Sequence, residues 1–222
     1  MSKIWIMACL ITSSVCAQTI SIGPLAKGLP SFSVTSTPSS TYNNLFFAGG
    51  AGKLHIPDLF LPIDFSLHVL YGKKLIIDRE PRIIQGNPTF TTPGFSRSIS
   101  NLEVGIPITY QLASSVITIQ AGLYFAFDRF TITEVSETLD PWGNLSSRSE
   151  DEFSTTKLGF WPVAELSTLI VSALTIALFA EYRLSEFAFD YPDASVQTGM
   201  IHYDSIYKLN GFQLGCAVLY SF

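Results

Sequence analysis

The chain has 222 residues, of which 14% are charged and 47% hydrophobic, with a formal net charge of −5. Ordinary soluble proteins carry about 25% charged residues, so this chain lacks the material to coat a water-facing surface, and its acidic balance argues against a nucleic-acid partner. A membrane-spanning helix is excluded as well: the longest uncharged apolar stretch, Leu166 to Ala180, sits between Glu165 and Glu181 and falls short of the ~20 residues a span needs.

The first segment, "MSKIWIMACLITSSVCAQ", has Lys3, an apolar run from Ile4 to Ile11, and small residues after it. Val15 and Ala17 stand where a signal peptidase reads its site, so residues 1–17 read as a secretory signal peptide and 18–222 as the mature domain. A short buried helix and a lipoprotein cut before Cys16 are the competing readings, although "SSVC" lacks the usual Leu. With Cys9 and Cys16 removed, only Cys216 remains, which permits no intramolecular disulfide and no Cys-based metal site. Loss of Lys3 leaves 12 basic against 18 acidic residues, a mature formal charge of −6.

Beyond the leader the residues alternate with the period of two that a strand with unlike faces requires. A first strand at about 19–34 is the least regular, because Pro24 and Pro30 interrupt it. A second, at about 43–56, is apolar on both faces and needs a rim position for Lys53 or His55. The third, about 61–72, sets Ile63, Phe65, Leu67, Val69 and Tyr71 against Asp64, Ser66, His68, Leu70 and Gly72. The fourth, about 98–112, sets Leu102, Val104, Ile106, Ile108 and Tyr110 against Asn101, Glu103, Gly105, Pro107, Thr109 and Gln111. In the fifth, about 115–129, Ile117 to Phe127 oppose Thr118, Gln120, Gly122, Tyr124, Ala126 and Asp128. The sixth, about 154–167, places Lys157, Gly159, Trp161, Val163 and Glu165 on its less apolar face. The seventh, about 171–186, places Thr175, Ala177, Phe179, Glu181 and Arg183 there. Pro107 and Pro162 fall inside strands and predict bulges or strand ends.

Short turns near Pro57–Phe60, Ala113–Ser114 and Ser167–Val171 alternate with long polar loops at about 73–97, 130–153 and 187–207. Without a spanning helix, only a closed barrel can cross a bilayer with every backbone group paired. The expected fold is all-β: an eight-stranded antiparallel up-and-down transmembrane β-barrel, with both termini on the periplasmic side.

The last strand, "GFQLGCAVLYSF", carries Phe212, Leu214, Cys216, Val218, Tyr220 and Phe222 on one face. Together with the signal peptide, the strand count and the loop asymmetry, it resembles the small OmpA/OmpX-type outer-membrane barrels across the whole mature chain. That resemblance implies residence in the outer membrane, contact with its lipid and lipopolysaccharide, and a monomer. It also implies that Val218, Tyr220 and Phe222 serve as the C-terminal signal read by the outer-membrane assembly machinery. The rival is a secreted lipocalin-type barrel, whose apolar faces would point inward.

If the registers hold, the lumen collects Asp64, His68, Glu103, Lys157, Glu165, Glu181 and Arg183. Eight strands enclose just enough room for side chains, and ions buried there must pair. The expected result is a salt-bridge plug. A narrow gated path is the alternative, and paired carboxylates such as Glu165 and Glu181 could in principle move protons. No cofactor or metal is expected: His55, His68 and His202 form no ligand cluster. In "IHYDSIYKLNG", His202 and Ser205 invite comparison with lipid A deacylases, but they lie three residues apart, on opposite strand faces, and no acidic residue follows Asp204. The chain therefore reads as no enzyme. Two loops differ in charge. Lys73, Lys74, Arg79, Arg82 and Arg97 outweigh Asp78 and Glu80 in one. Glu134, Glu137, Asp140, Glu150, Asp151 and Glu152 outweigh Arg148 in the other. They could pack together, or the basic loop could grip lipopolysaccharide, and Phe90, Phe95, Trp142 and Phe153 suggest an adhesive surface. The function expected is structural or surface-interacting, with a small porin-like channel or a lipid A esterase as alternatives.

Overall fold

The computed structural model describes residues 19–35, 40–56, 63–79, 82–83, 91–189 and 205–222. The proposed leader, the turn expected at 57–60, His202 and Asp204 lie outside those residues. The strands are β1 (Thr19–Thr35), β2 (Ser40–Ile56), β3 (Ile63–Arg79), β4 (Arg82–Ile83), β5 (Thr91–Thr92), β6 (Gly94–Ser114), β7 (Ile117–Leu139), β8 (Leu145–Val171), β9 (Leu174–Arg183), β10 (Glu186–Phe189), β11 (Ser205–Lys208) and β12 (Gly211–Ser221).

Eight of them form a ring in the order β1–β2–β3–β6–β7–β8–β9–β12, and β12 returns to β1. Each strand pairs antiparallel with the one before it, so the barrel is up-and-down. The closing seam is stitched at the short-turn end: Phe222 N–H donates to Ile20 O at 3.0 Å, and the Ser21 and Ser221 hydroxyls are 2.8 Å apart. The irregular first segment is thus a full wall strand. Its prolines are tolerated because each interrupts one ladder without moving the register. The β1–β12 pairs skip from Ile22 to Leu25 across Pro24, and the β1–β2 pairs skip Pro30. Pro107 acts likewise: β3 and β6 pair at Phe65↔Ile108 and next at His68↔Gly105, with no bulge between them. A missing N–H, not an extra residue, is what each proline costs here.

The alternation expected from the sequence separates inside from outside. On β3, Asp64, Ser66, His68 and Leu70 are buried, while Phe65, Leu67, Val69 and Tyr71 are exposed. The outward set is apolar around the ring, with Phe46, Phe160 and Phe212 each about two-thirds exposed (69%, 68% and 67%). Above it the next outward positions turn polar: Asn44, Lys73, Ser100, Arg129, Thr156, Glu186 and Asn210. A continuous apolar belt with a polar rim cannot face water, and a closed ladder leaves no backbone edge for hydrocarbon to strand. The lipocalin alternative requires the reverse polarity and is excluded.

Two expected loops are strands instead. The ladder of β7 and β8 runs on past the belt from Phe130↔Thr155 to Thr138↔Ser147, leaving only a tight turn at 140–144. In the basic segment, β3 reaches Arg79 and β6 starts at Gly94. On β8 residues 145–152 are exposed on both faces, so the apolar alternation vanishes there while the hydrogen bonding to β7 continues. The short turns also shift slightly, to 115–116 and 172–173.

Candidate functional site

The inward face of the ring is filled in tiers. At the long-hairpin end it is apolar: Phe32, Phe47, Ile99, Phe130, Phe187 and Leu209 are buried there. Phe130 and Phe187 stack with ring centroids 4.8 Å apart. No charge from the lumen list lies in this tier.

The middle tier is an ion network with no exposed member. Arg183 on β9 places Nη1 2.7 Å from Glu103 Oε2 and Nη2 2.8 Å from Asp128 Oδ2. Lys27 on β1 lies 2.6 Å from Glu181 Oε1 and 3.3 Å from Glu103 Oε1. Neutral donors complete the carboxylates. Tyr124 Oη donates to Glu103 at 2.5 Å, Trp161 Nε1 to Glu181 at 2.5 Å, and Asn101 Nδ2 and Ser185 Oγ to Asp128 at 3.2 Å each. The Lys27 ammonium also sits 3.9 Å from the Tyr124 ring centroid, a cation–π contact that solvates it in place of water. Buried ions survive only when paired and hydrogen-bonded in this way. Gly105 makes the packing possible, since a Cβ there would fall 1.9 Å from Tyr124 Oη.

The third tier lies at the short-turn end. Lys53 on β2 sits 2.8 Å from Asp64 Oδ2, 2.7 Å from Glu165 Oε1 and 2.8 Å from Gln120 Oε1, which uses all three of its N–H donors. Asp64 also pairs with His55 Nδ1 and accepts from Gln120 Nε2. This tier opens on a cavity of about 260 Å³ lined by Ser21, His55, Thr118, Gln120 and Ser167 among others.

The residues expected in the lumen therefore divide. Glu103, Glu181 and Arg183 meet in the middle tier, and Asp64 and Glu165 in the third. Glu165 and Glu181 hold separate lysines and form no carboxylate pair. His68 is buried between the tiers, its ring 5.5 Å from Tyr124 and 5.2 Å from Phe179, with Nδ1 unpartnered among the described residues. Lys157 shares the inward register but stands exposed above the network, donating to Glu186 O at 2.9 Å. Val218, Tyr220 and Phe222 are outward and exposed, with the two rings 5.1 Å apart. Ser205 opens β11. Sequence reasoning missed Lys27, Lys53 and Asp128 as network members. Asp128 was on the right face all along; Lys27 and Lys53 sat in the two strands whose alternation was weakest. Among the described residues no group of three metal-ligating side chains occurs.

No protein-family model and no curated protein sequence matches the chain. Solved structures do. Ail, the attachment invasion locus protein of Yersinia pestis, aligns over 92% of this chain and 97% of its own, at 12% identity and TM-score 0.41. A major outer membrane protein from Thermus thermophilus aligns over 93% and 100%, at 14% and 0.49. The outer membrane protease OmpT from Escherichia coli aligns over 92% and 96%, at 10% and 0.37.

The closed ring of eight antiparallel strands is established by the chain's own ladders. The apolar belt of the chain itself is what fits this barrel to a membrane, and the expected OmpA/OmpX-type resemblance agrees with it.

The long hairpins project beyond the polar rim. There Arg97 of the basic segment meets Glu134 of the acidic one, Nη2 to Oε1 at 2.7 Å. The opposite charges do pair, but across adjacent strands β6 and β7. At the hairpin tip Asp140 accepts the backbone N–H groups of Trp142 at 2.9 Å and Asn144 at 2.8 Å. Slight desolvation raises its pKa, and the bonds from Asn144, Trp142 and Gly143 outweigh that, leaving it below the ordinary aspartate value.

Proposed function

We propose that the chain is a structural barrel of the outer membrane with a closed lumen, which presents extended hairpins at the cell surface. The observation that supports this best is the stacking of an apolar tier over a neutralised ion tier. A solute would have to displace Phe130 and Phe187 and then break the Arg183–Glu103–Lys27 network, and neither offers it a replacement for what is lost. The short-turn end faces the periplasm, as in barrels of this kind, so the cavity beside His55 is a dead-ended vestibule.

In this reading residues 1–17 are a leader removed on export, and Val218, Tyr220 and Phe222 are read by the assembly machinery. Lipopolysaccharide surrounds the outer rim, where Lys73 and Arg129 are exposed. The chain performs no catalysis. Planar-bilayer recording tests the closed lumen: purified protein should insert without a stable conductance step. A reproducible open step in wild type would favour the small porin-like channel instead.

A further inference from the structure

We propose that an apolar groove on the outer wall, over β12, β1, β2 and β3, holds one acyl chain of a phosphate-bearing glycolipid of the outer leaflet, with the phosphate on Lys73. The site rests on the membrane placement above. The groove encloses about 590 Å³, within the roughly 300–1,000 Å³ of ordinary ligand sites. Its floor is one row of the sheet: Cys216 pairs with Ala26, and Ala26 with Ala48. Tyr71, opposite Ala48, makes one wall and Leu214 the other, and both are exposed.

The hollow follows the strands. Below the floor row Pro24 pairs with Gly50, and Val69 flanks Gly50 on β3. Small residues on two neighbouring strands make a channel about 10 Å wide at the usual strand spacing. At the upper end Phe46 leans over Gly28, where a Cβ would lie 3.3 Å from its ring. That lean carries the ring towards β1 and away from β3, so the groove leads up to Lys73, the next outward residue above Tyr71. An unfilled hollow forfeits dispersion contacts, and at the depth of the apolar belt hydrocarbon is the medium that supplies them.

The charge at the upper end selects the head of the occupant. Lys73 is exposed at the rim. The strands β1, β2 and β12 carry no Asp or Glu, and Asp64 of β3 is buried in the third tier. Glu186, the acidic residue of the rim, is engaged by Lys208 at 3.5 Å. Beside Lys73, Lys74 donates to Asn44 O at 3.2 Å. An apolar channel that ends at a cation fits an amphiphile with an apolar tail and an anionic head, and a phosphate gives Lys73 a charge-assisted hydrogen bond. A second copy of the barrel fits less well. A two-fold contact through this groove would bring both Lys73 side chains to one height, like charge beside like charge.

The test uses the mature chain, residues 18–222, in phosphatidylcholine nanodiscs. These contain either lipid A with a nitroxide on one acyl chain or the same lipid without its phosphates. Paramagnetic broadening of two backbone amides is compared by NMR. Ala48 lies in the groove. Phe125, exposed on β7, stands the same number of residues below the rim position Arg129 as Ala48 does below Asn44. Lipid A should broaden Ala48 several-fold more than Phe125, and the dephosphorylated lipid should broaden the two alike. Ala26→Trp, which fills the groove from an exposed position, and Lys73→Glu should each remove the excess. Equal broadening with lipid A overturns the site, as does an excess that ignores the phosphates or survives either substitution. The wild-type comparison of the two lipids stands whether or not either variant folds. Ala48 shielded from lipid in a barrel that sediments as a dimer assigns the groove to a second copy, and overturns the site as well. Phe125 untouched by both lipids would overturn the membrane placement itself.

Discussion

Arg183 on β9 and Glu103 on β6 meet across the lumen at 2.7 Å, both fully buried. Glu103 is the hub of the middle tier: it also accepts from Tyr124 and faces Lys27. Replacing Arg183 with Leu leaves Asp128 with no cation among the described residues, and Glu103 and Glu181 to share the Lys27 ammonium. Breaking a buried pair from one side costs about 3–5 kcal/mol, and urea refolding in detergent should show that loss. Lys157→Ala, outside the network and exposed, should stay within about 0.5 kcal/mol of wild type. Similar losses for the two variants would contradict the tiered assignment.

Gly105 is held open for Tyr124. Gly105→Ala sets a methyl where the Tyr124 hydroxyl lies and should cost about 1–3 kcal/mol through overpacking. Shortening the ring removes the clash, so Gly105→Ala should cost less in a Tyr124→Leu background than in wild type. A double-mutant cycle measures that coupling, and strict additivity would show that the two positions do not touch.

Asp140 organises the hairpin tip through the N–H groups of Trp142 and Asn144. Its carboxyl sits below the ordinary aspartate value, which is about 3.9. A depressed folded pKa gives a contribution that is present above the unfolded value and lost as pH falls through the folded one. The Trp142 and Asn144 amide resonances should therefore titrate with a midpoint below that of a free aspartate. Asp140→Ala should abolish the titration and speed chymotryptic cleavage at Trp142, whose side chain is exposed. An unchanged titration in the variant would assign it to another group.

The sequence exposes what period two can carry. Inward Asp64, Glu103, Glu165, Glu181 and Arg183 were legible because each is polar between apolar neighbours on a regular strand. β1 was obscured by Pro24 and Pro30, whose cost falls on ladder bonds and leaves the alternation intact. Lys27 was hidden with it, one cation between Leu25 and Leu29. Lys53 was set at a rim because β2 is apolar on both faces, although it is the centre of the third tier. The hairpin strands beyond the belt were read as loops, since Glu150 to Glu152 carry no hydrophobic period. Lys157 shares the inward register with Trp161 and Glu165, but height along the strand is not encoded in alternation. That height puts it outside the network. The end of the β8–β9 ladder at Val163 left one trace, Pro162, which a sequence alone cannot tell from the prolines that leave their strands in register.

The most direct test of the central claim is electrophoretic mobility of the outer-membrane fraction, boiled and unboiled, in detergent. A barrel closed by the β1–β12 seam and packed by buried ion tiers resists cold detergent. Unboiled protein should run as a compact band that shifts on heating. A chain found in the soluble periplasmic fraction, with the same mobility before and after boiling, would contradict the membrane-facing assignment of the apolar belt.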